Sequence, residues 1–469
     1  MSFYKHLCVC IKAIQQKFFE QGTDTIEKLE SHARHLSLIR HTEIGLIIIA
    51  ALVGLAVGLS IVVFHTVTVS FEKGFELIFE MSERFAQWSV LTIPLICALG
   101  GLGVGVLNET VFKDIPDEGL PFIVKIIESG NGLMRRRTSL KAIINASLSI
   151  SSGGGAGREA PTILLGASVA STLGQLLSLR IGQMRVLCAA GSAAAISGIF
   201  NAPLGGVVFA LEGITGKLNL RFFIPIVVAS VMSTAVVRIF LGNAPLLVQP
   251  EVQRVTLSEF FLLAIAGVMS ALVAIYYLKV FILTRNWVSE RLSHLKPMFR
   301  PALGGMGAGV LVMFLPTLLE TTYQPINQVI SGQGVFWMAL ATILLKPISN
   351  GLTLGSGGAG GTLAPAMKAG AMFGFCFGYL LTELGASTSI GLYALVCAAA
   401  TLAGTYAMPL SAAIILFEIS RNYDLILPLL FASVFSSFVI RRVKIETFNP
   451  IQNANLAETQ SVQQVNSIS

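Results

Sequence analysis

Glu159 is the residue whose surroundings suit it least. It stands in Ser152-Gly153-Gly154-Gly155-Ala156-Gly157-Arg158-Glu159-Ala160-Pro161, a glycine-rich stretch between apolar segments. At the centre of a bilayer an acidic side chain costs about 2.5–3.5 kcal/mol, so an acid kept there marks a functional position. The glycines around it expose backbone N–H groups, and a helix starting here adds roughly half a positive charge. Such an end holds an anion without a full cation. A carboxylate beside it would compete with the anion when ionised and withdraw when protonated, as a gate and proton acceptor. A structural ion pair with Arg158 is the alternative.

A second stretch, Ser356-Gly357-Gly358-Ala359-Gly360-Gly361-Thr362-Leu363-Ala364-Pro365, has the same form. It lies 204 positions on (Ser152 to Ser356), and the register still holds at Gly166 and Gly370. Gly198, Pro203, Leu204 and Glu212 likewise match Gly404, Pro409, Leu410 and Glu418 at an offset of 206 (212 to 418). Two blocks in one order at nearly one offset indicate a duplicated chain. Glycines that only let helices pack closely are the other explanation. Neither block ends in the Gly-Lys-Ser/Thr of a nucleotide-binding loop. An anion site made of amides rather than a ring of lysines also releases its ion readily, which throughput requires.

No catalytic or metal set accompanies these blocks. His6, His32, His35 and His41 lie in a polar N-terminal segment, His65 is alone in a long apolar run, and His294 is in a basic loop. Neither HExxH nor GxSxG occurs. Cys8, Cys10, Cys97, Cys188, Cys376 and Cys397 have no metal spacing and read as small hydrophobes. The expectation is no enzyme activity, no metal and no cofactor.

The elements that position the blocks must lie in a membrane. Of 469 residues, 54% are hydrophobic and 12% charged, where a soluble domain carries about 25% charged. This excludes a cytosolic enzyme, a secreted disulfide scaffold and a nucleic-acid binder. The net charge of +7 matches the lysine and arginine excess of cytoplasmic loops. Residues 44–71 and 260–283 are long enough to cross a bilayer, and 92–107, 222–240, 302–318, 336–354, 388–404 and 425–440 are shorter candidates. Residues 141–152, 161–175, 185–200, 203–214, 362–380 and 408–419 are short and broken by glycine and proline. Irregular backbone is tolerated at membrane depth only where protein buries it or it lines a cavity. Broken helices at matching places in two halves locate a binding site near the midplane.

The chain therefore divides in three. Residues 1–41 form a charged amphipathic cytoplasmic segment with no cleavable signal peptide. Residues 42–440 form the membrane domain, with halves at about 42–245 and 255–440, and residues 441–469 a short polar tail. Arg135-Arg136-Arg137 and Arg441, Arg442 and Lys444 read as topology anchors that keep both termini cytoplasmic, in the inner (plasma) membrane of a bacterium.

Several segments together carry a resemblance. Gly157-Arg158-Glu159-Ala160-Pro161 resembles the GREGP signature of the CLC chloride channels and chloride/proton antiporters, with Ala160 for the second glycine. Gly361-Thr362-Leu363-Ala364-Pro365 is similar to their GxFxP signature, with Leu363 for the phenylalanine. Phe200-Asn201-Ala202-Pro203-Leu204 resembles the FNAPL segment between them. Met408-Pro409-Leu410 through Glu418, Asn422-Tyr423 and Leu425-Ile426-Leu427-Pro428 look like the family's late helices. The likeness covers residues 40–440 in the family's order. It implies an all-α polytopic fold of tilted, discontinuous helices in two inverted halves, within a lipid-embedded homodimer with one pore per subunit. It implies Glu159 as the external gate, the amides of Thr362 and Leu363 at a central anion, and Gly157, Arg158 and Glu159 at an outer one. Chloride and other small anions are the implied cargo, with protons as a second species to test. The short tail leaves no room for the CBS pair of many relatives.

Three departures shape the functional expectation. Asp117-Glu118-Gly119-Leu120-Pro121 falls where the family has GSGIP, so Glu118 stands for a serine whose hydroxyl touches the central anion. Glu118 either faces that anion or, as an acid at a helix start, faces water. The inner glutamate of the proton-coupled members falls at Gly213, leaving Glu212 as inner-acid candidate or, like Glu418, as a structural residue. The family's inner tyrosine falls near Thr447-Phe448-Asn449, where Phe448 fills space without a hydroxyl. These changes favour a passive voltage- or pH-gated chloride channel, or loosely coupled transport, over stoichiometric chloride/proton antiport. A fluoride exporter fits less well, because the first block lacks that branch's asparagine pattern. A membrane-embedded enzyme and a sodium-coupled transporter of organic substrates are more distant alternatives.

Overall fold

Long apolar runs punctuated by glycine and proline fold here into helices. The computed structural model describes residues 42–83, 89–113, 119–128, 130–216, 220–250, 257–386, 388–451 and 453. Among them are sixteen α-helices and no strand beyond a single bridge between Gly157 and Gly361. The first half holds α1 (Glu43–Glu83), α2 (Ser89–Thr110), α3 (Leu120–Glu128), α4 (Thr138–Ser151), α5 (Glu159–Leu176), α6 (Ile181–Phe200), α7 (Pro203–Phe209) and α8 (Leu220–Leu241). The second holds α9 (Leu257–Arg291), α10 (Arg300–Phe314), α11 (Gln324–Ile330), α12 (Phe336–Gly355), α13 (Leu363–Glu383), α14 (Ile390–Tyr406), α15 (Pro409–Ser420) and α16 (Ile426–Val443).

Each half opens on a helix longer than a bilayer needs. α1 has 41 residues and α9 has 35, or roughly 60 and 50 Å at 1.5 Å per residue. The hydrocarbon core is about 30 Å thick, so such helices tilt or run past it. Among the described residues, seven helices are long and apolar enough to cross: α1, α2, α6, α8, α9, α10 and the segment ending in α16. Of the glycine-broken stretches, α4, α7 and α15 are short, at 14, 7 and 12 residues, with α7 passing into a π-turn at Ala210–Ile214. α5 and α13 run to 18 and 21 residues, and the stretch 185–200, expected to be short, is instead part of the 20-residue α6, long and apolar enough to cross. α14, apolar on every side, is wholly buried at the centre.

The halves meet reciprocally. The Gly157 N–H donates to the Gly361 carbonyl at 2.9 Å, and the Gly361 N–H to the Gly157 carbonyl at 2.6 Å. Gly101 of α2 lies against the Pro301 carbonyl of α10, and Gly305 of α10 against the Cys97 carbonyl of α2, each too close for a side chain. Both pairs are 204 positions apart (101 to 305, 97 to 301). When residue i touches j and the equivalents of j and i touch in turn, a two-fold axis relates the units. The duplicated sequence thus folds as two halves about one axis, an inverted repeat.

Candidate anion-binding site

The site is built from two helix starts. Gly153 (φ +98°) and Gly357 (φ +93°) take the same left-handed turn at the ends of α4 and α12. Beyond each turn, Gly157 and Gly361 pair through the bridge, and α5 and α13 begin two residues later. The residues before them, Arg158 and Thr362, make no side-chain cap. Pro161 and Pro365, in the third helical position, have no N–H to offer. The unpaired first-turn amides of two repeat-related helices therefore converge, and both dipoles present their positive ends there.

Glu159 projects into this place. It is 0% exposed, and its Oε2 accepts from the Ala364 N–H at 3.4 Å, at the start of the other half's helix. Its Oε1 has no partner. The same Oε2 lies so close to Gly157 that a side chain there would collide with it. The carboxylate thus occupies the kind of spot a free anion would take. The Arg158 guanidinium lies 5.1 Å from the centre of the Tyr323 ring and is near enough to Glu159 and Glu72 to feel their charges. Leu363 is buried beside Thr362.

The sequence reading missed a buried ion cluster behind these helix starts. Lys346 of α12 and Lys368 of α13 reach one carboxylate oxygen of Glu320, at 2.5 and 3.1 Å. Lys346 also donates to the Leu318 carbonyl at 2.5 Å, and Lys368 to that of Leu319. Glu320 and Glu159 are near enough to feel each other's charge. Three residues on three separate elements have no common spacing. The only signal was two lysines inside apolar helices, where an unpaired charge is costly.

The inner side departs from what the resemblance implies. Position 213, where the resemblance implies an inner acid, is a glycine beside the flexible end of the Met408 side chain. The neighbouring Glu212 uses both oxygens at the start of α15, accepting from the N–H groups of Leu410 (3.3 Å) and Ser411 (2.7 Å) and from the Ser411 hydroxyl (2.5 Å). Its repeat partner Glu418 does the same for α7, accepting from Leu204 and Gly205 at 3.2 and 2.7 Å. Phe448 lies in an aromatic cluster. Its ring packs against Tyr406, Phe281 and Tyr277, with centroids 5.3, 5.3 and 6.4 Å away. The hydroxyl beside Thr362 comes from Tyr406, 2.7 Å from Thr362 Oγ1. Extending the 206-residue offset would have found it, since Tyr406 is the repeat partner of Phe200. Glu118 lies outside the described residues. No group of three metal-ligating side chains occurs among the described residues.

Known proteins share this architecture. The chain is 29% identical to a protein of Ralstonia nicotianae described as a ClcB-like chloride channel protein, over 74% of this chain and 81% of that one. It is 25% identical to the H(+)/Cl(-) exchange transporter ClcA of Citrobacter koseri, over 83% and 84%. The crystal structure of a slow cyanobacterial Cl-/H+ antiporter superposes with a TM-score of 0.78 at 22% identity, covering 90% of this chain and 99% of that one. The profile of the voltage gated chloride channels matches residues 100–441. With its apolar helices, paired glycine turns and buried glutamate, this integral membrane protein belongs to the voltage-gated chloride channel (CLC) family.

Proposed function

We propose that this protein moves chloride and similar monovalent anions along a passage gated by the Glu159 carboxylate, passively or with loose proton coupling. The observation that carries the proposal is the position of that carboxylate, accepting from the Ala364 N–H at the uncapped start of α13. Gly157, Arg158, Thr362 and Leu363 are assigned to the passage with it, their backbones forming the two helix starts. Charge balance supports one anion at a time. Arg158, Lys346 and Lys368 offset Glu72, Glu159 and Glu320 around the gap. When the Glu159 charge is withdrawn, one positive charge is left over, and a single monovalent anion restores neutrality.

Weak coupling is inferred from the inner side. Position 213 is a glycine with no acid to offer, and Glu212 is committed to capping α15. Stoichiometric exchange remains the second reading, because a relative 25% identical is named an H(+)/Cl(-) exchange transporter. The deciding experiment reconstitutes the protein in liposomes under a chloride gradient and records chloride efflux and external pH together. Chloride efflux without proton movement is expected. Protons driven uphill by chloride would establish exchange instead, and folded protein with no halide flux would end the anion reading. Fluoride outpacing chloride would move it to the fluoride branch. We further propose a homodimer with one passage per subunit, which cross-linking in native membranes tests.

A further inference from the structure

We propose that Lys346, Lys368 and Glu320 act together as one fixed positive charge, which sets how tightly the passage binds a monovalent anion without any of the three touching it. This deepens the anion-transport reading above and rests on it. Two ammonium groups share one carboxylate oxygen of Glu320, at 2.5 and 3.1 Å, so one positive charge is left over. Lys346, Lys368 and Glu320 are buried, at 0%, 1% and 7% exposure. The carbonyls of Leu318 and Leu319 each take one N–H from the lysines, but they are neutral. A buried charge without a counter-charge is costly. To staple α12 and the Pro316–Leu318 turn together, one lysine and one glutamate would suffice. The second lysine adds repulsion, so its counter-charge has to come from outside the cluster.

The missing negative charge belongs at the two helix starts. Glu159 is near enough to feel Glu320, and Lys346 to feel Glu159. Arg158, the other cation nearby, has Glu72 within range as a counter-charge of its own. Lys368 stands four positions after Ala364, whose N–H holds the Glu159 carboxylate, and so lies one turn, about 6 Å, further along α13. Whatever takes the place of that carboxylate meets the same field. Two occupants fit, and they exclude each other: the ionised Glu159 side chain and the transported anion.

Buried charges are screened little by salt, so the field persists at working ionic strength. A charge acting at this range reads the charge of an ion and not its shape. The cluster therefore strengthens binding of chloride and nitrate alike, and leaves discrimination between them to groups that touch the ion.

The test is made in the Glu159→Gln variant, because in the wild type the carboxylate and the anion compete for one place and both feel the cluster. On that background Lys368→Met and Lys346→Met each neutralise the cluster, and Lys368→Met combined with Glu320→Gln restores one positive charge. Chloride and nitrate affinities are measured by calorimetry, with melting temperatures in detergent beside them. One unit charge at roughly 10 Å, with an effective dielectric of about 20, changes binding on the order of tenfold. Each lysine variant should lose that factor for both anions, and the double exchange should regain it although two of the three side chains are gone. Unchanged affinities with only the melting temperature lowered would make the cluster a staple and overturn the proposal. A loss confined to one anion, or one that persists in folded Lys368→Met/Glu320→Gln protein, would overturn it too. If Lys368→Met does not fold, Lys346→Met decides alone, since it removes the same charge from α12. Absence of halide binding and flux in the Glu159→Gln parent would instead remove the anion reading, whatever the lysines do.

Discussion

A carboxylate at an anion site blocks while charged and yields once neutral. For Glu159 the sign follows from the hydrogen bond it accepts across the two halves. The Ala364 N–H holds an ionised oxygen through a charge-assisted bond, roughly twice as strong as the neutral equivalent. Protonation weakens that hold, so chloride flux should rise as external pH falls. Glu159→Gln should conduct at all pH values alike; a pH profile unchanged from wild type would deny Glu159 the gate. Glu320 makes the opposite case. It is shared by Lys346 and Lys368, and Glu320→Gln leaves two buried ammonium groups facing a neutral amide. Breaking a buried pair from one side costs about 3–5 kcal/mol, which should appear as a marked drop in thermal stability in detergent. Glu159 was legible in the sequence because an acid in a glycine turn is conspicuous by itself. The Lys–Glu–Lys cluster and the Thr362–Tyr406 pair were not, because each exists only once distant helices converge.

At the scale of elements, the glycine-broken segments were legible and their partners were not. Stretches read as 141–152, 161–175 and 408–419 became α4, α5 and α15 with small shifts at their ends, since glycine and proline punctuate the backbone directly. What they cap is a matter of tertiary contact. Glu212 and Glu418 carried one repeat signal and two interpretations, and their geometry is the same: each satisfies the free amides of the other half's helix. Glu212→Gln and Glu418→Gln should therefore lower the melting temperature by similar amounts, as for a lost cap worth about 1 kcal/mol. Proton movement lost in Glu212→Gln alone would restore Glu212 as an inner acid.

For the whole molecule, the duplication was the most legible feature, because an offset survives even where individual residues have diverged. The inversion was not legible, since a repeat in sequence says nothing about orientation. It took reciprocal contacts such as Gly101 with Pro301 and Gly305 with Cys97 to supply the axis. Because both glycines sit where backbones touch, Gly101→Leu and Gly305→Leu should force α2 and α10 apart equally. Both should reduce the yield of folded protein, as seen by size-exclusion chromatography.

The exchanged caps also bear on how the protein is made. Leu204 and the acid that satisfies its amide are 214 residues apart. At about 5–20 residues per second a ribosome needs roughly 10–40 s to span that distance. For that interval the first half is in the bilayer with the start of α7 unfinished. That end of the helix stays uncapped until Glu418 is made.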